Sequence, residues 1–215
     1  MDANVNDTTT VKICGITSYE DAALALASGA DALGFNFCAA SPRCLTAGRA
    51  RDILRRLPGD VWSVGVFVDM PAAEVRALAS GLGFRTLQFH GGEDAAYLAS
   101  LAEWELIKAV RVGGDASPPE LTSFDGLVQY FLFDRYSPRA HGGTGAQIES
   151  EVLDRVDPQI LRRSFLAGGL NPGNVAEKVR RYRPYGVDVA SGVESTPGKK
   201  SAELVRSFIE AVRGS

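Results

Sequence analysis

The stretch VKICGIT, Val11 to Thr17, joins a short apolar run to a cysteine, a glycine and a threonine suited to cap a helix. Seven further apolar, β-branched runs follow it and alternate with amphipathic segments to the end of the chain. Such nearly continuous hydrophobicity is typical of strands buried on both faces of a parallel sheet. The eight runs are VKICG, ADALGFNF, VWSVGVFVD, RTLQF, WELIKAVRV, VQYFLFD, RSFLAGG and YGVDVAS.

The segments between the runs carry apolar residues at helical spacing, as in YEDAALALASG, AAEVRALASGLG, PGNVAEKVRRY and the final SAELVRSFIEAVR. Thr17 and Glu20 have the spacing of a capping box at the start of the first helix, and Gly29 is suited to end it. Asn171 with Pro172 is expected to start the helix within PGNVAEKVRRY.

Parallel strands need such crossovers, and right-handed crossovers repeated eight times close a barrel. An open doubly wound sheet is the alternative, but it would normally carry a glycine-rich dinucleotide turn after the first strand, which ICGIT is not. We predict an α/β fold, a (β/α)8 TIM barrel of eight parallel strands with surrounding helices. It forms a single domain over residues 11–215, after a flexible N-terminal tail of residues 1–10.

The composition of the 215 residues favours a globular protein of the cytoplasm, because 45% are apolar and the net charge is only -3. No basic stripe is present, which argues against a nucleic-acid binder. We expect neither a signal peptide nor a membrane span. Cys14, Cys38 and Cys44 lack metal-ligand or CxxC spacing, which suits free thiols in a reducing compartment. His90 and His141 are too few histidines for a His-rich zinc site.

Polar residues at the carboxyl ends of the strands are the candidates for a functional site, because the active site of such a barrel is built from the loops that follow. In chain order they are Cys14, the Ser41-Pro42-Arg43 loop, Asp69, His90, Arg111 and Asp134, followed by the glycine clusters HGGTG, AGGL and ASGVEST.

Gly168-Gly169 and Ser191-Gly192 end the seventh and eighth strands, where such barrels commonly bind phosphate. Glycine lets the backbone approach a ligand, and amide groups in such turns bind anions. The alternative is that both clusters are merely tight turns between a strand and a helix.

Asp134 ends the very apolar run YFLFD, where lost solvation favours the protonated form of an acid and suits it to donate a proton. A structural carboxylate that caps the next loop is the alternative. Cys14 is either a small buried hydrophobe or a reactive thiol, whose thiolate the start of the following helix would favour.

Arg43 follows a stiffening proline, and its planar fork suits a carboxylate or phosphate, although a surface arginine has the same pattern. His90 either hydrogen-bonds substrate or satisfies a loop carbonyl. Asp69 and Arg111 are assigned to an internal ion pair or to loop capping. Cys38 and Cys44 are expected to be incidental.

These motifs give the chain a close resemblance to a known family. VKICGIT, GADALGFNF with SPR, VGVFVD, LQFHGGE, LFDRYSP with HGGTG, AGGLNPGNV and GVDVASGVESTPGKKS together resemble the phosphoribosylanthranilate isomerases. The resemblance extends from about Val11 to the final helix. KICG and DVASGVE are its most specific parts, since the related histidine-pathway isomerase tends to have an aspartate where this chain has Cys14.

The resemblance implies an isomerase that converts N-(5-phosphoribosyl)anthranilate into 1-(2-carboxyphenylamino)-1-deoxyribulose 5-phosphate in tryptophan biosynthesis. This Amadori rearrangement uses neither a cofactor nor a metal. The resemblance makes Cys14 the general base and Asp134 the general acid, and it places Arg43 on the anthranilate carboxylate. His90 and Asp188 are expected to bind substrate. The phosphate is assigned to Gly168, Gly169, Ser191 and Gly192.

Three departures from the family pattern concern the anthranilate pocket and the lid after the sixth strand. Cys44 stands where an aromatic residue is frequent, Asn36 where an aliphatic one is usual, and AQIES replaces a lysine-bearing continuation after HGGTG. Another phosphosugar barrel and a catalytically silent binding subunit are the alternative functions. The partner is expected to be a small phosphosugar, and a homodimer and a monomer both stay open.

Overall fold

A computed structural model describes residues 8–113, 121–135 and 150–215. Within them, eight parallel strands form a closed barrel in chain order, so the predicted (β/α)8 architecture is confirmed. Each predicted apolar run supplies one strand. The strands are β1 (Thr10–Cys14), β2 (Ala32–Asn36), β3 (Trp62–Phe67), β4 (Thr86–Phe89), β5 (Glu105–Val112), β6 (Tyr130–Arg135), β7 (Ser164–Leu166) and β8 (Gly186–Val189).

The helices lie between the strands in sequence, and neighbouring helices contact one another around the barrel. They are α1 (Tyr19–Ala27), α2 (Ala47–Leu54), α3 (Ala72–Leu82), α4 (Ala95–Ala99), α5 (Ser150–Leu153), α6 (Pro158–Leu161), α7 (Val175–Tyr182) and α8 (Ala202–Arg213). In the described part of the chain, a 3-10 turn at Thr122–Phe124 stands between β5 and β6. A hairpin of β9 (Glu194–Thr196) and β10 (Lys199–Lys200) separates β8 from α8.

The start of α1 differs by one residue from the predicted capping box. Ser18 is the N-cap, and its hydroxyl accepts a hydrogen bond from the Asp21 backbone N–H at 3.1 Å. Thr17 does not cap the helix, because its hydroxyl donates to the Gly198 carbonyl in the β9–β10 hairpin. Gly29 follows the helix with a φ of +97°, as expected of a residue that ends it.

The start of α7 was predicted three residues too early. Asn171 Oδ1 accepts a hydrogen bond from the Gly173 N–H at 2.9 Å, which forms a local turn instead of a helix cap. The helix therefore begins at Val175, with Asn174 as its N-cap.

Apolar side chains pack on both faces of the barrel wall. The outer core lies between strands and helices, whereas a separate inner cluster fills the barrel with Val64, Ile107, Ala109, Leu132, Phe165 and Ala167. Trp62, Tyr130 and Tyr185 pack against this inner cluster at the amino ends of the strands. The opposite end of the interior carries polar residues, so the functional groups collect at the carboxyl ends.

The barrel starts one residue earlier than predicted, because the Thr10 N–H donates to the Tyr185 carbonyl at 3.0 Å and Thr10 opens β1. Residues 1–7 of the predicted tail lie outside the described residues. No helix in the described ranges has the length and apolar character needed to cross a bilayer.

Candidate functional site

One cavity at the carboxyl ends of the strands, called the mouth cavity below, brings together all nine predicted site residues. It is lined by Cys14, Arg43, His90, Asp134, Gly168, Gly169, Asp188, Ser191 and Gly192. Strands β1, β2, β4, β6, β7 and β8 and their following loops supply these groups, although they are distant in sequence. The convergence follows from barrel closure, which sets the carboxyl ends of all strands around one opening.

Cys14 is the last residue of β1, and only 8% of its surface is exposed. Burial raises the pKa of its thiol, and the negative charge of Asp188 raises it further. Lys12 and Lys200 act in the opposite direction but do not outweigh these effects. The expected help from a helix start is wrong, because α1 begins only at Tyr19.

Lys12 lies two residues before Cys14 on the inner face of β1, and its side chain is fully buried. Its Nζ donates to Asp188 Oδ1 at 2.8 Å across the β1–β8 pair. Burial lowers the pKa of Lys12, but Asp188 and Cys14 together raise it above its ordinary value. Lys12 is therefore a cation held between a carboxylate and the thiol.

Gly34 on β2 makes room for this pair of groups. It is the register partner of Cys14. A Cβ at this position would lie 2.7 Å from Cys14 Sγ and 3.1 Å from Lys12 Nζ. Since real Cβ contacts are longer than 3.0 Å, a side chain here would displace the thiol, the ammonium group or both.

Asp134 lies near the end of β6, and both of its carboxyl oxygens make hydrogen bonds. Oδ1 accepts from the Arg135 N–H at 2.8 Å, and Oδ2 lies 3.0 Å from His90 Nε2. The second ring nitrogen, His90 Nδ1, lies 3.3 Å from Nε2 of Gln88. His90 thus contacts the acid as well as the cavity, in addition to its predicted place beside substrate.

Arg43 is held at the cavity edge by Glu194 of the β9–β10 hairpin. Its Nε and one terminal nitrogen donate to the two Glu194 oxygens at 2.8 and 2.6 Å. The hydrogen bonds that Arg43 donates to Glu194 raise the pKa of Arg43 against the effect of burial. The guanidinium is buried and rigidly oriented, which excludes the surface-arginine alternative.

Lys200 completes this network from the other side of Glu194. Its buried Nζ donates to Glu194 Oε1 at 2.8 Å, to the Cys14 carbonyl at 2.6 Å and to the Ala190 carbonyl at 3.2 Å. Burial lowers the pKa of Lys200, although the nearby carboxylate partly compensates. The lysine ties the ends of β1 and β8 to the residue that orients Arg43.

The glycine turn after β7 lies close to the end of β6. Gly168 and Gly169 have φ values of +73° and +67°, which favour glycine. A Cβ at Gly168 would lie 2.8 Å from Asp134 Oδ1. The turn after β8, with Ser191 and Gly192, lines the same cavity. The two turns and Asp134 therefore line the same cavity.

Asp69 and Arg111 have the structural roles that we expected. Asp69 Oδ1 accepts from the Gly92 N–H at 2.6 Å, which caps the loop after β4. Arg111 donates to the His90 carbonyl at 2.9 Å and so supports the same loop. Cys38 and Cys44 do not line the cavity, whereas Asn36 does. HGGTG, with His141, and the AQIE of AQIES lie outside the described residues.

Sequence reasoning missed four polar residues of the site: Lys12, Gln88, Glu194 and Lys200. Lys12 and Gln88 each interrupt an apolar strand two residues before a candidate, Cys14 and His90. That spacing places them on the same face of the strand, which is the signal that could have found them. Glu194 and Lys200 stand in VESTPGKK, where nothing in the local pattern indicates that their side chains turn inward.

A second cavity, of about 470 Å³, opens at the opposite end of the barrel. It lies beside Trp62, Tyr130 and Tyr185, at the amino ends of the strands. None of the candidate residues lines it. Residues at this face of such barrels serve stability rather than catalysis.

Comparison with known proteins places the chain in one family. Residues 11–211 match the family model described as N-(5'phosphoribosyl)anthranilate (PRA) isomerase. The N-(5'-phosphoribosyl)anthranilate isomerase of Pelobacter propionicus is 44% identical over 203 residues, covering 94% of this chain and 95% of the relative.

Solved structures of the same family superpose over almost the whole chain. A phosphoribosyl anthranilate isomerase in complex with reduced 1-(o-carboxyphenylamino)-1-deoxyribulose 5-phosphate is 35% identical with a TM-score of 0.83, covering 97% of this chain and 100% of its own. Monomers generated from the dimeric enzyme of Thermotoga maritima are 33% identical with a TM-score of 0.82, at coverages of 97% and 100%.

Proposed function

The chain belongs to the N-(5'-phosphoribosyl)anthranilate isomerase family, and we propose on that premise how its mouth cavity carries out the reaction. The protein is an isomerase of tryptophan biosynthesis that rearranges N-(5-phosphoribosyl)anthranilate to 1-(2-carboxyphenylamino)-1-deoxyribulose 5-phosphate. The observation that carries the proposal is the convergence of Cys14 and Asp134 on one cavity that also contains Arg43 and the two glycine turns.

Asp134 acts first, as the general acid. It gives its proton to the ribose ring oxygen, the C1–O bond breaks, and the nitrogen lone pair forms an iminium at C1. The hydrogen bond between Asp134 and His90 holds the carboxyl group in place for this transfer. Positioned proton transfer of this kind typically contributes about 10²–10⁴-fold to the rate.

Cys14 acts next, as the general base. Its thiolate removes the proton from C2, which the neighbouring iminium has made acidic, and the electron pair forms an enolamine. The enol O–H then loses its proton, C1 gains one, and the ketone results. C2 has lost the hydrogen that C1 has gained, so no electrons leave the substrate.

The thiolate is the form that needs support, since burial raises the pKa of the Cys14 thiol. Lys12 supplies a positive charge beside the sulfur and is itself kept charged by Asp188. We assign Lys12 to stabilising the thiolate. Asp188 has a second carboxylate oxygen and lines the cavity, which supports its role beside substrate.

The two ends of the substrate carry negative charges that the site can recognise. Arg43 offers its third nitrogen to the anthranilate carboxylate, while Glu194 occupies the other two. The backbone groups of the turns at Gly168–Gly169 and Ser191–Gly192 are assigned to the phosphate. Binding at both ends would fix C1 and C2 between acid and base.

We further propose that the enzyme works in the cytoplasm, in line with its three free cysteines. A homodimer is the assembly to test first, because a structural neighbour is a dimeric enzyme, with the monomer as the alternative.

Turnover of freshly generated N-(5-phosphoribosyl)anthranilate tests the function. Wild-type protein should convert it to the deoxyribulose product without added metal or cofactor. Absence of product from folded protein would refute the proposed activity.

A further inference from the structure

Gln88 is a polar residue of the cavity that the mechanism above does not use. It lies on the inner face of β4, only 1% exposed, and lines the mouth cavity. Its Nε2 lies 3.3 Å from His90 Nδ1. In the described part of the chain, its Oε1 is the single fully buried side-chain nitrogen or oxygen atom without a hydrogen-bond partner.

A buried acceptor without a donor is costly, by about 1–3 kcal/mol. The cost is removed if a bound molecule supplies an N–H or O–H to it. Because Gln88 lines the cavity that contains Cys14 and Asp134, a substrate bound there is the molecule that we expect to supply this donor.

The orientation of the Gln88 amide is linked to the proton on Asp134 through His90. When Asp134 is a carboxylate and His90 is neutral, His90 donates to it from Nε2, so Nδ1 is an acceptor and Gln88 must present its NH2 group there. Gln88 Oε1 is then left without a donor from the ring. In the structure it is Gln88 Nε2 that lies 3.3 Å from His90 Nδ1, as this arrangement requires.

Protonated Asp134 reverses each hydrogen bond in the chain. Its O–H donates to His90 Nε2, Nδ1 becomes a donor, and Gln88 must turn its oxygen toward the ring. The amide NH2 group then faces the cavity. Two charged residues of β5 bind the loop of His90. Arg111, the register partner of Asp134, donates to the His90 carbonyl, and Lys108 donates to the Gly91 carbonyl. Lys12, Cys14 and Asp188 belong to the strands β1 and β8.

We propose that Gln88 is a substrate-contacting residue whose amide offers an acceptor or a donor to the cavity according to whether Asp134 has given up or holds its proton. The proposal rests on the proposed isomerase function. Before ring opening, the NH2 group meets an oxygen of the sugar. After Asp134 has released its proton, Oε1 accepts from a hydroxyl or the anilino N–H of the opened chain.

Substitution Gln88→Met tests the contact, since it keeps the length of the side chain and removes both hydrogen-bonding groups. We expect kcat/KM to fall about 10- to 100-fold and affinity for the reduced deoxyribulose product analogue to fall about tenfold. Gln129→Met is the matched control, because the Gln129 side chain accepts from the Leu106 N–H at the amino end of β6. Both kcat/KM and the affinity for the analogue should stay within about twofold of wild type in this variant.

The affinity of anthranilate, measured in the same two variants, separates the possible donors. Weaker anthranilate binding by Gln88→Met points to the anilino N–H, whereas a loss seen with the product analogue alone points to a sugar hydroxyl. Unchanged binding of both ligands and unchanged kcat/KM would overturn the contact.

The link to Asp134 is tested by ¹⁵N NMR of His90, assigned by comparison with His90→Asn. Wild-type protein should show the tautomer with the proton on Nε2. In Asp134→Asn the amide imitates the protonated acid, because its oxygen keeps the Arg135 N–H and its NH2 group faces His90. The tautomer should therefore change to Nδ1–H.

An identical tautomer in both proteins would overturn the link. This measurement needs no turnover, so it stands apart from the proposed function. Wild-type protein that lacks activity would refute the isomerase assignment. Active wild-type protein, together with unchanged kcat/KM and ligand binding in Gln88→Met, would refute only the role of Gln88.

Discussion

Lys12 and Asp188 form a buried ion pair, 2.8 Å from Nζ to Oδ1, and Lys12 stands two residues before Cys14 on the same strand. The ammonium group therefore lies between a carboxylate and the thiol that is proposed to become a thiolate. Lys12 and Asp188 affect the thiol in opposite directions, so substitutions of the two residues should have effects of opposite sign.

Lys12→Met should make Cys14 less reactive, because the one charge on β1 that stabilises the thiolate is lost. We expect the pKa of the thiol to rise further and kcat to fall about 100-fold. The rate of alkylation by iodoacetamide as a function of pH, in a Cys38→Ser/Cys44→Ser background, measures the thiolate directly.

The same variant leaves Asp188 buried without its partner, which costs about 3–5 kcal/mol of stability. Lys12→Met/Asp188→Leu is the control, since it removes both charges and should regain most of that stability. An alkylation profile like wild type in Lys12→Met itself would show that Lys12 acts on stability alone.

Asp188→Asn should shift the pKa of Cys14 downward, because the carboxylate that raises it is gone. Alkylation of Cys14 should then become faster than in wild type at neutral pH. Substrate turnover should nevertheless fall, because Asp188 is also assigned to bind substrate. An unchanged or slower alkylation rate would contradict the charge balance inferred for this site.

Glu194→Gln should weaken the orientation of Arg43. The amide can accept only one of the two guanidinium hydrogen bonds with the same geometry, so we expect KM to rise about tenfold with a smaller change in kcat. Arg43→Lys should raise KM at least as much, since lysine lacks the planar fork. Inorganic phosphate inhibition is the control and should change in neither variant.

Glu194 should also make stability depend on pH in the acid range. Burial alone would raise the pKa of its carboxyl group, but Arg43 and Lys200 outweigh burial and lower it below 4.5. Its contribution is therefore complete above the ordinary pKa and is lost as the pH falls through the lower value of the folded protein.

The free energy of unfolding of wild type and Glu194→Gln, measured by urea denaturation from pH 7 to pH 3, checks this. The advantage of wild type should be constant above about pH 5 and should shrink at lower pH. An advantage that grows toward acid pH would show that the carboxyl group is not stabilised in its charged form.

Most of the fold could be predicted because buried strands and amphipathic helices produce local sequence patterns. The exceptions were decided by distant contacts. Thr17 has the right type and spacing for a cap, yet its hydroxyl bonds to Gly198 of a hairpin formed far away in the chain. Asn171 likewise bonds locally and delays the helix.

The site was predictable where a residue ends a strand, as Cys14 and Asp134 do. It was less predictable where a side chain acts from inside the barrel. Lys12 and Gln88 are polar residues in apolar strands, and the contacts of their side chains depend on which strands become neighbours. The pKa of Cys14 was misjudged for the same reason, because its burial and the charge of Asp188 come from packing.

The central claim is that Cys14 and Asp134 act on one sugar, and steady-state turnover of N-(5-phosphoribosyl)anthranilate by wild type, Cys14→Ser and Asp134→Asn tests it most directly. We expect each substitution to lower kcat by about 10²-fold or more. Inhibition by inorganic phosphate should stay within about twofold of wild type, since the glycine turns are untouched. Near-normal kcat in either variant would contradict the claim and remove that residue from the mechanism.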